Sequence, residues 1–208
     1  MIANVCTEQQ FLGDIKNHTL KVIRDEGVYR HLQFRRPGTV CYGFDIVTWP
    51  GYLCYTGDMG CFVFSRVEDM LKFFRDEGMG GPLRINPLYW SEKLQATDKD
   101  VGHKAFSFER FREVVNQIVA EDKDATEELK EAVKEMFDDC DGKSAEACYM
   151  AVTEFEWDNQ QYFTDFFEHS LEEYTFHYIW CCYALVWGIR HYDAAQASNS
   201  KPASAGEG

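Results

Sequence analysis

Residues 40–65 read VCYGFDIVTWPGYLCYTGDMGCFVFS. Two turn signals, Trp49-Pro50-Gly51 and Gly57-Asp58-Met59-Gly60, cut this stretch into three short runs rich in β-branched and aromatic residues. Pro presets φ and Gly takes positive φ without steric penalty, so this punctuation closes hairpins and the runs between read as strands. Connections this short join antiparallel neighbours. The spacing predicts strands over roughly residues 39–48, 52–56 and 60–65.

Two runs upstream extend the pattern. Residues 19–24 set Leu20 and Val22 against Lys21 and Ile23, and Asp25-Glu26-Gly27 supplies a turn. In residues 28–36 the alternation is clean. Val28, Arg30, Leu32, Phe34 and Arg36 share one side, and Tyr29, His31, Gln33 and Arg35 share the other. Pro37-Gly38 turns the chain into the opening stretch. The expectation is a five-stranded antiparallel meander over residues 19–65.

Helix signals flank the meander. Thr7 and Gln10 have capping-box spacing ahead of a short helix with Phe11, Leu12 and Ile15 on one face. Ser65 stands as the N-cap of a helix carrying Met70, Leu71, Phe73 and Phe74, with Glu68 and Asp69 in its first turn. Gly78 ends that helix and Gly80-Gly81-Pro82 bars its continuation. Asn86-Pro87 starts a short helix through Trp90 and Leu94, and residues 96–104 read as a polar loop.

The second half reads as helix throughout. Ser107 caps a helix over residues 108–121, Asp124 caps one reaching Phe137, and Ser144 starts a third. Residues 138–142 (DDCDG) read as a turn and residues 156–161 (EWDNQQ) as a break or a continuation. Residues 162–195 read as mostly helical with an interruption near Ser170, residues 174–189 are expected to be the buried central helix of a C-terminal bundle, and residues 196–208 a disordered tail. The fold class is therefore α+β: an N-terminal antiparallel sheet domain with flanking helices over residues 1–105, then an acidic helical region over 106–195. The helical region either packs on the sheet or forms its own core. At 208 residues both arrangements bury enough apolar surface to fold without staples.

Charge narrows the function. The chain carries a net −14, and the excess sits entirely in one half. Residues 1–106 hold 13 Lys+Arg and 13 Asp+Glu, whereas residues 107–208 hold 8 and 22. Phosphate binding needs clustered cations, so the balance argues against a general nucleic-acid binder. An acidic helical face is either a solvated surface or one that meets a basic partner; Glu127, Glu128 and Glu131 are the carboxylates to test. Trp157 and Tyr162, at the break, are aromatic candidates for a partner-binding surface, the rival reading being core packing. One basic strand stands apart: Tyr29, His31, Arg35 and Arg36 interleave rings and cations as single-stranded nucleic-acid sites do. Against that stand an edge strand protected by charge, or arginines paired with the acidic half.

Reaction chemistry has little support. None of the eight cysteines forms a CxxC pair, and most lie in strands or an apolar helix, where free Cys packs as a small hydrophobe. Cys54 and Cys61 are seven apart across a turn, and His177 and Cys181 are i,i+4 with His169 as a further donor; neither reaches a structural zinc pattern. DDCDG lacks the spaced oxygens and terminal Glu of a calcium loop. GDMG lacks the lysine of a phosphate loop, so Asp58 reads as a turn residue. The expectation is no metal and no cofactor. Residues 174–189 are too short and too flanked by acids to span a membrane, which takes about 20 apolar residues. MIANVCTEQQ shows no signal-peptide pattern, so a reducing cytoplasm is expected.

Residues 44–75 (FDIVTWPGYLCYTGDMGCFVFSRVEDMLKFFR) resemble an uncharacterised family encoded by bacteriophages and prophages. Residues 22–39 (VIRDEGVYRHLQFRRPGT) and 85–94 (INPLYWSEKL) are similar to the same group, so the resemblance covers roughly residues 20–95. It implies a phage accessory protein acting in a bacterial host cytoplasm, and brings no activity, cofactor or catalytic residue. Small acidic proteins of that setting often bind host proteins. The resulting expectation is a non-enzymatic protein that binds a host or phage protein through an acidic or aromatic surface. The alternatives are a nucleic-acid-associated protein using the strand of Arg35 and Arg36, and an enzyme of unrecognised class using Asp58, His31 or a Cys–His pair.

Overall fold

The structure, a computed structural model, describes residues 5–75, 81–140 and 144–199. These form two compact units, one of residues 5–103 and 174–199 and one of residues 104–173. The first holds α1 (Glu8–Asp14), β1 (Thr19–Glu26), β2 (Tyr29–Arg35), β3 (Phe44–Trp49), β4 (Tyr52–Gly57), β5 (Gly60–Ser65), α2 (Met70–Phe74), α3 (Pro87–Ser91) and β6 (Leu94–Thr97). The second holds β7 (Lys104–Phe106), α4 (Phe108–Glu121), α5 (Glu127–Cys140), α6 (Ala145–Thr153), β8 (Glu156–Trp157), β9 (Gln160–Gln161) and β10 (Glu172–Tyr174). The last helix, α7 (Phe176–Asn199), returns to the first unit. The fold is α+β, as the sequence predicts.

The meander is present, with each strand antiparallel to the next. A sixth strand, β6, pairs with β5 where a helix end and a loop were expected. Along β3, β4 and β5 burial alternates residue by residue. Leu32, Phe34, Phe44, Ile46, Leu53, Tyr55, Phe62 and Phe64 point inward and are fully buried. Their outward neighbours are all at least partly exposed.

Most of the inward face is covered by α7, and α2, after Ser65, packs there as well, with Phe74 meeting Phe64 edge-on at 5.1 Å. Trp187 meets the rings of Phe34 and Phe44 edge-on, and Trp180 meets Phe11 and Phe44. Polar ties hold α7 along its length. Trp180 Nε1 donates to Asp14 at 3.0 Å, the Tyr178 hydroxyl donates to the Pro87 carbonyl at 3.0 Å, and the Tyr192 hydroxyl donates to Asp25 at 2.9 Å. Arg75 forms a two-point pair with Asp193 at 2.7 and 2.8 Å. The expected centre of a C-terminal bundle is thus the cover of the sheet. A helix apolar on every side must be buried but does not name its neighbour, and the aromatic sheet face needs covering.

Caps follow the sequence in part. Thr7 and Gln10 close the predicted capping box, and Ser107 and Ser144 accept from the backbone N–H of Arg110 and Ala147. Asp69 caps α2 in place of Ser65, and the Thr126 hydroxyl replaces Asp124 at the start of α5. Asn86 caps α3 with Pro87 at its first position, as expected. The helical unit has its own core, in which Phe111, Val115, Val133, Phe137, Cys148, Val152 and Phe163 are buried together. Residues 162–175 hold no α-helix: a short 3-10 helix at Phe166–Glu168 leads into β10, which pairs with β7.

The domain expectation is corrected in two places. The helical unit ends at residue 173 rather than 195, and residues 196–199 are the last turn of α7 rather than tail. The expectations for Gly78, Gly80, Asp141, Gly142 and residues 200–208 lie outside the described residues.

Candidate functional site

In the helical unit, α5 and α6 enclose a groove of about 640 Å3. Its α5 wall is Ala132, Glu135, Met136, Asp139 and Cys140, the i, i+3, i+4, i+7, i+8 stripe of one helix face. Ala147, Met150, Ala151 and Glu154 form the same stripe on α6, and Phe155 and Glu156 close the end. Three alanines leave room where longer side chains would fill the space. Met136 and Met150 supply adaptable apolar surface. Met150 is 59% exposed, which is high for a large apolar residue inside a lined groove. Glu135, Asp139, Glu154 and Glu156 supply four carboxylates, and no Lys or Arg is among the described residues that line the groove. Like charges around apolar walls focus a negative potential into the space between them. Residues 104–173 hold 20 Asp+Glu and 7 Lys+Arg, so the whole unit reinforces that sign.

The carboxylates singled out from sequence lie beside this site, not in it. Glu127 and Glu131 are exposed and pair with Lys130 at 2.7 Å and Lys134 at 3.0 Å. The Glu128 carboxyl sits below its ordinary range, held there by its own backbone N–H and the Thr126 hydroxyl. Trp157 and Tyr162 are half-buried and pack on the helical core, so the aromatic break is largely internal. Trp157 sits in the β8–β9 hairpin, whose turn residues Asp158 and Asn159 both have positive φ, the geometry of a tight type I′ connection. The Tyr162 hydroxyl donates to Asp122 at 2.8 Å. Its pKa is pushed up to about 12, first by desolvation and then by that carboxylate.

On the sheet unit, Tyr29, His31 and Arg35 share the outward face of β2, and Arg36 is exposed just past the strand end. His31 Nε2 and Arg35 Nη2 both contact Asp45, at 2.7 and 2.6 Å. Arg30 points to the other side and pairs with Asp69 at 2.9 Å. Arg30 and Arg35 therefore have partners within the sheet unit. Asp58 accepts from the Tyr42 backbone N–H at 2.8 Å, which ties the β4–β5 turn to the loop before β3. Cys54 and Cys61 sulfurs lie 3.9 Å apart on the outward face. Cys181 is fully buried, and burial pushes its thiol far up. Among the described residues no group of three or more His, Cys, Asp or Glu is placed to hold a metal ion. No described helix is long and apolar enough to cross a membrane.

Comparison with protein-family models, with curated proteins and with solved structures returns no match to this chain. The groove residues were missed at the level of sequence because no single helix shows them as a site. The available signal was a pair of consecutive helices, each with a stripe mixing Ala, Met and acid.

Proposed function

We propose that this chain is a non-enzymatic binding protein whose helical unit docks a basic, amphipathic segment of a partner protein in the α5–α6 groove. One observation carries the reading: an apolar floor rimmed by four carboxylates with no cation among the described lining residues. An amphipathic helix lays apolar anchors at i, i+3, i+4 and i+7 into such a groove, and its flanking Lys and Arg meet the rim. The apolar floor supplies affinity, and the rim selects the sign of the partner and speeds encounter. A phage or prophage origin, a host cytoplasm and a host or phage partner belong to the same reading. They rest on the resemblance over roughly residues 20–95.

The test compares two variants of equal charge change. Glu135→Lys with Glu154→Lys reverses the groove rim; Glu127→Lys with Glu131→Lys reverses the neighbouring exposed face. The probe is a labelled Lys/Leu helical peptide of about five turns, roughly 18 residues. Anisotropy titration is expected to show at least about ten-fold weaker binding for the groove variant and a smaller loss, removed by added salt, for the face variant. Equal losses would mean a diffuse acidic surface and would end the groove reading.

A further inference from the structure

The outward face of the sheet carries a second site of different chemistry. Tyr29, Trp49 and Tyr52 lie on it, on three adjacent strands, and are 44%, 36% and 38% exposed. Register places them in one row. Arg30 pairs with Thr48, so Tyr29 and Trp49 each lie one residue beyond that pair, and Trp49 pairs with Tyr52. The Trp49 and Tyr52 rings stack at 5.4 Å and 12°. The Arg24 guanidinium lies 5.2 Å over the Tyr29 ring. Between Tyr29 and Trp49 opens a cleft of about 540 Å3, with His31 and Val47 along its side.

Cations border this row. Lys21 pairs with Gln33 and Arg24 with His31, so both belong to the outward face, as does Arg35. Glu26 and Asp45 are the carboxylates among them. The chain's −14 does not weigh against this face, because residues 104–173 alone account for −13 of it. Asp45 holds His31 and Arg35 together, which fixes both side chains without burying them.

We infer that this face binds single-stranded nucleic acid, with successive bases stacked on the rings of Tyr29 and Trp49 and the backbone running beside Arg24, Lys21 and Arg35. Strands in a sheet lie about 4.8 Å apart, so rings on neighbouring strands meet successive unstacked bases. Every base has a π-face, so the site is tolerant of sequence. A duplex keeps its base faces inside the stack and offers this row nothing but phosphates.

The experiment titrates the full chain with fluorescein-labelled oligo(dT) of about eight nucleotides, following anisotropy and tryptophan fluorescence. The expected result is salt-sensitive binding with tryptophan quenching, weakened roughly ten-fold or more by Tyr29→Ala and by Trp49→Ala but retained by Tyr29→Phe, which keeps the ring. The Glu135→Lys, Glu154→Lys variant should leave this row's contribution, the loss on Tyr29→Ala, intact. The inference is overturned if the oligomer fails to bind at low salt, if Tyr29→Ala binds as the parent does, or if a duplex of equal length binds as tightly.

Discussion

At Gly188 the final helix comes closest to the sheet. A Cβ there would sit 2.9 Å from the Ile46 Cδ1 and 3.0 Å from the Phe34 ring. Ile46 has a flexible end, but the Phe34 ring is stacked on Phe44 at 4.7 Å and has little freedom to yield. Gly188→Val is expected to destabilise the sheet unit by about 1–3 kcal/mol, measured by urea unfolding, because overpacking a dense core forces side chains off their rotamers. His18 is a second sensitive point. It is 8% exposed, and desolvation first of all lowers its pKa from the ordinary 6.5. The unfolded chain therefore takes up a proton that the folded chain resists, so stability should fall as pH drops below about 6.5. His18→Gln should flatten that slope between about pH 7 and pH 5; a slope equal to the parent's would contradict the assignment. Neither role is written in the local sequence. Gly188 lies in an apolar run that would suit any residue, and His18 sits in an ordinary turn after a short helix.

Among the elements, the meander was the most legible and α7 the least. Turn glycines and alternating burial depend on neighbours a few residues away, so β1 through β5 could be placed from the chain alone. β6 could not. Leu94, Gln95, Ala96 and Thr97 alternate over only four residues with a single large apolar side chain, and they become a strand by pairing with the edge of β5. α7 was legible as a buried helix but not as the cover of the sheet. Its rings contact residues more than a hundred positions earlier, and no local period encodes such a partner. The groove was hidden for the same reason. Ala132 and Ala151 look like ordinary helix formers until α5 and α6 are set side by side.

Across the whole molecule, the helical unit occupies one continuous stretch of chain, and the sheet unit is made from what flanks it. The sheet unit closes on itself at that point. The Thr175 N–H donates to the His103 carbonyl at 3.0 Å, and the Thr175 hydroxyl donates to the Gly102 carbonyl at 2.8 Å. Replacing residues 104–173 by a short Gly/Ser linker should therefore leave a sheet unit that unfolds in one cooperative urea transition, followed by near-ultraviolet circular dichroism. Loss of a cooperative transition would show that its core needs the removed segment. The same division separates the two proposed surfaces, the acidic groove on one unit and the aromatic face on the other.

The groove claim has a direct readout, because two of the six methionines, Met136 and Met150, line it. With methionine methyl groups labelled with carbon-13, titration of the Lys/Leu helical peptide should shift the Met136 and Met150 resonances first and most. Met59 and Met70, buried in the sheet unit, should stay in place. Peptide binding that leaves Met136 and Met150 unmoved would contradict the account.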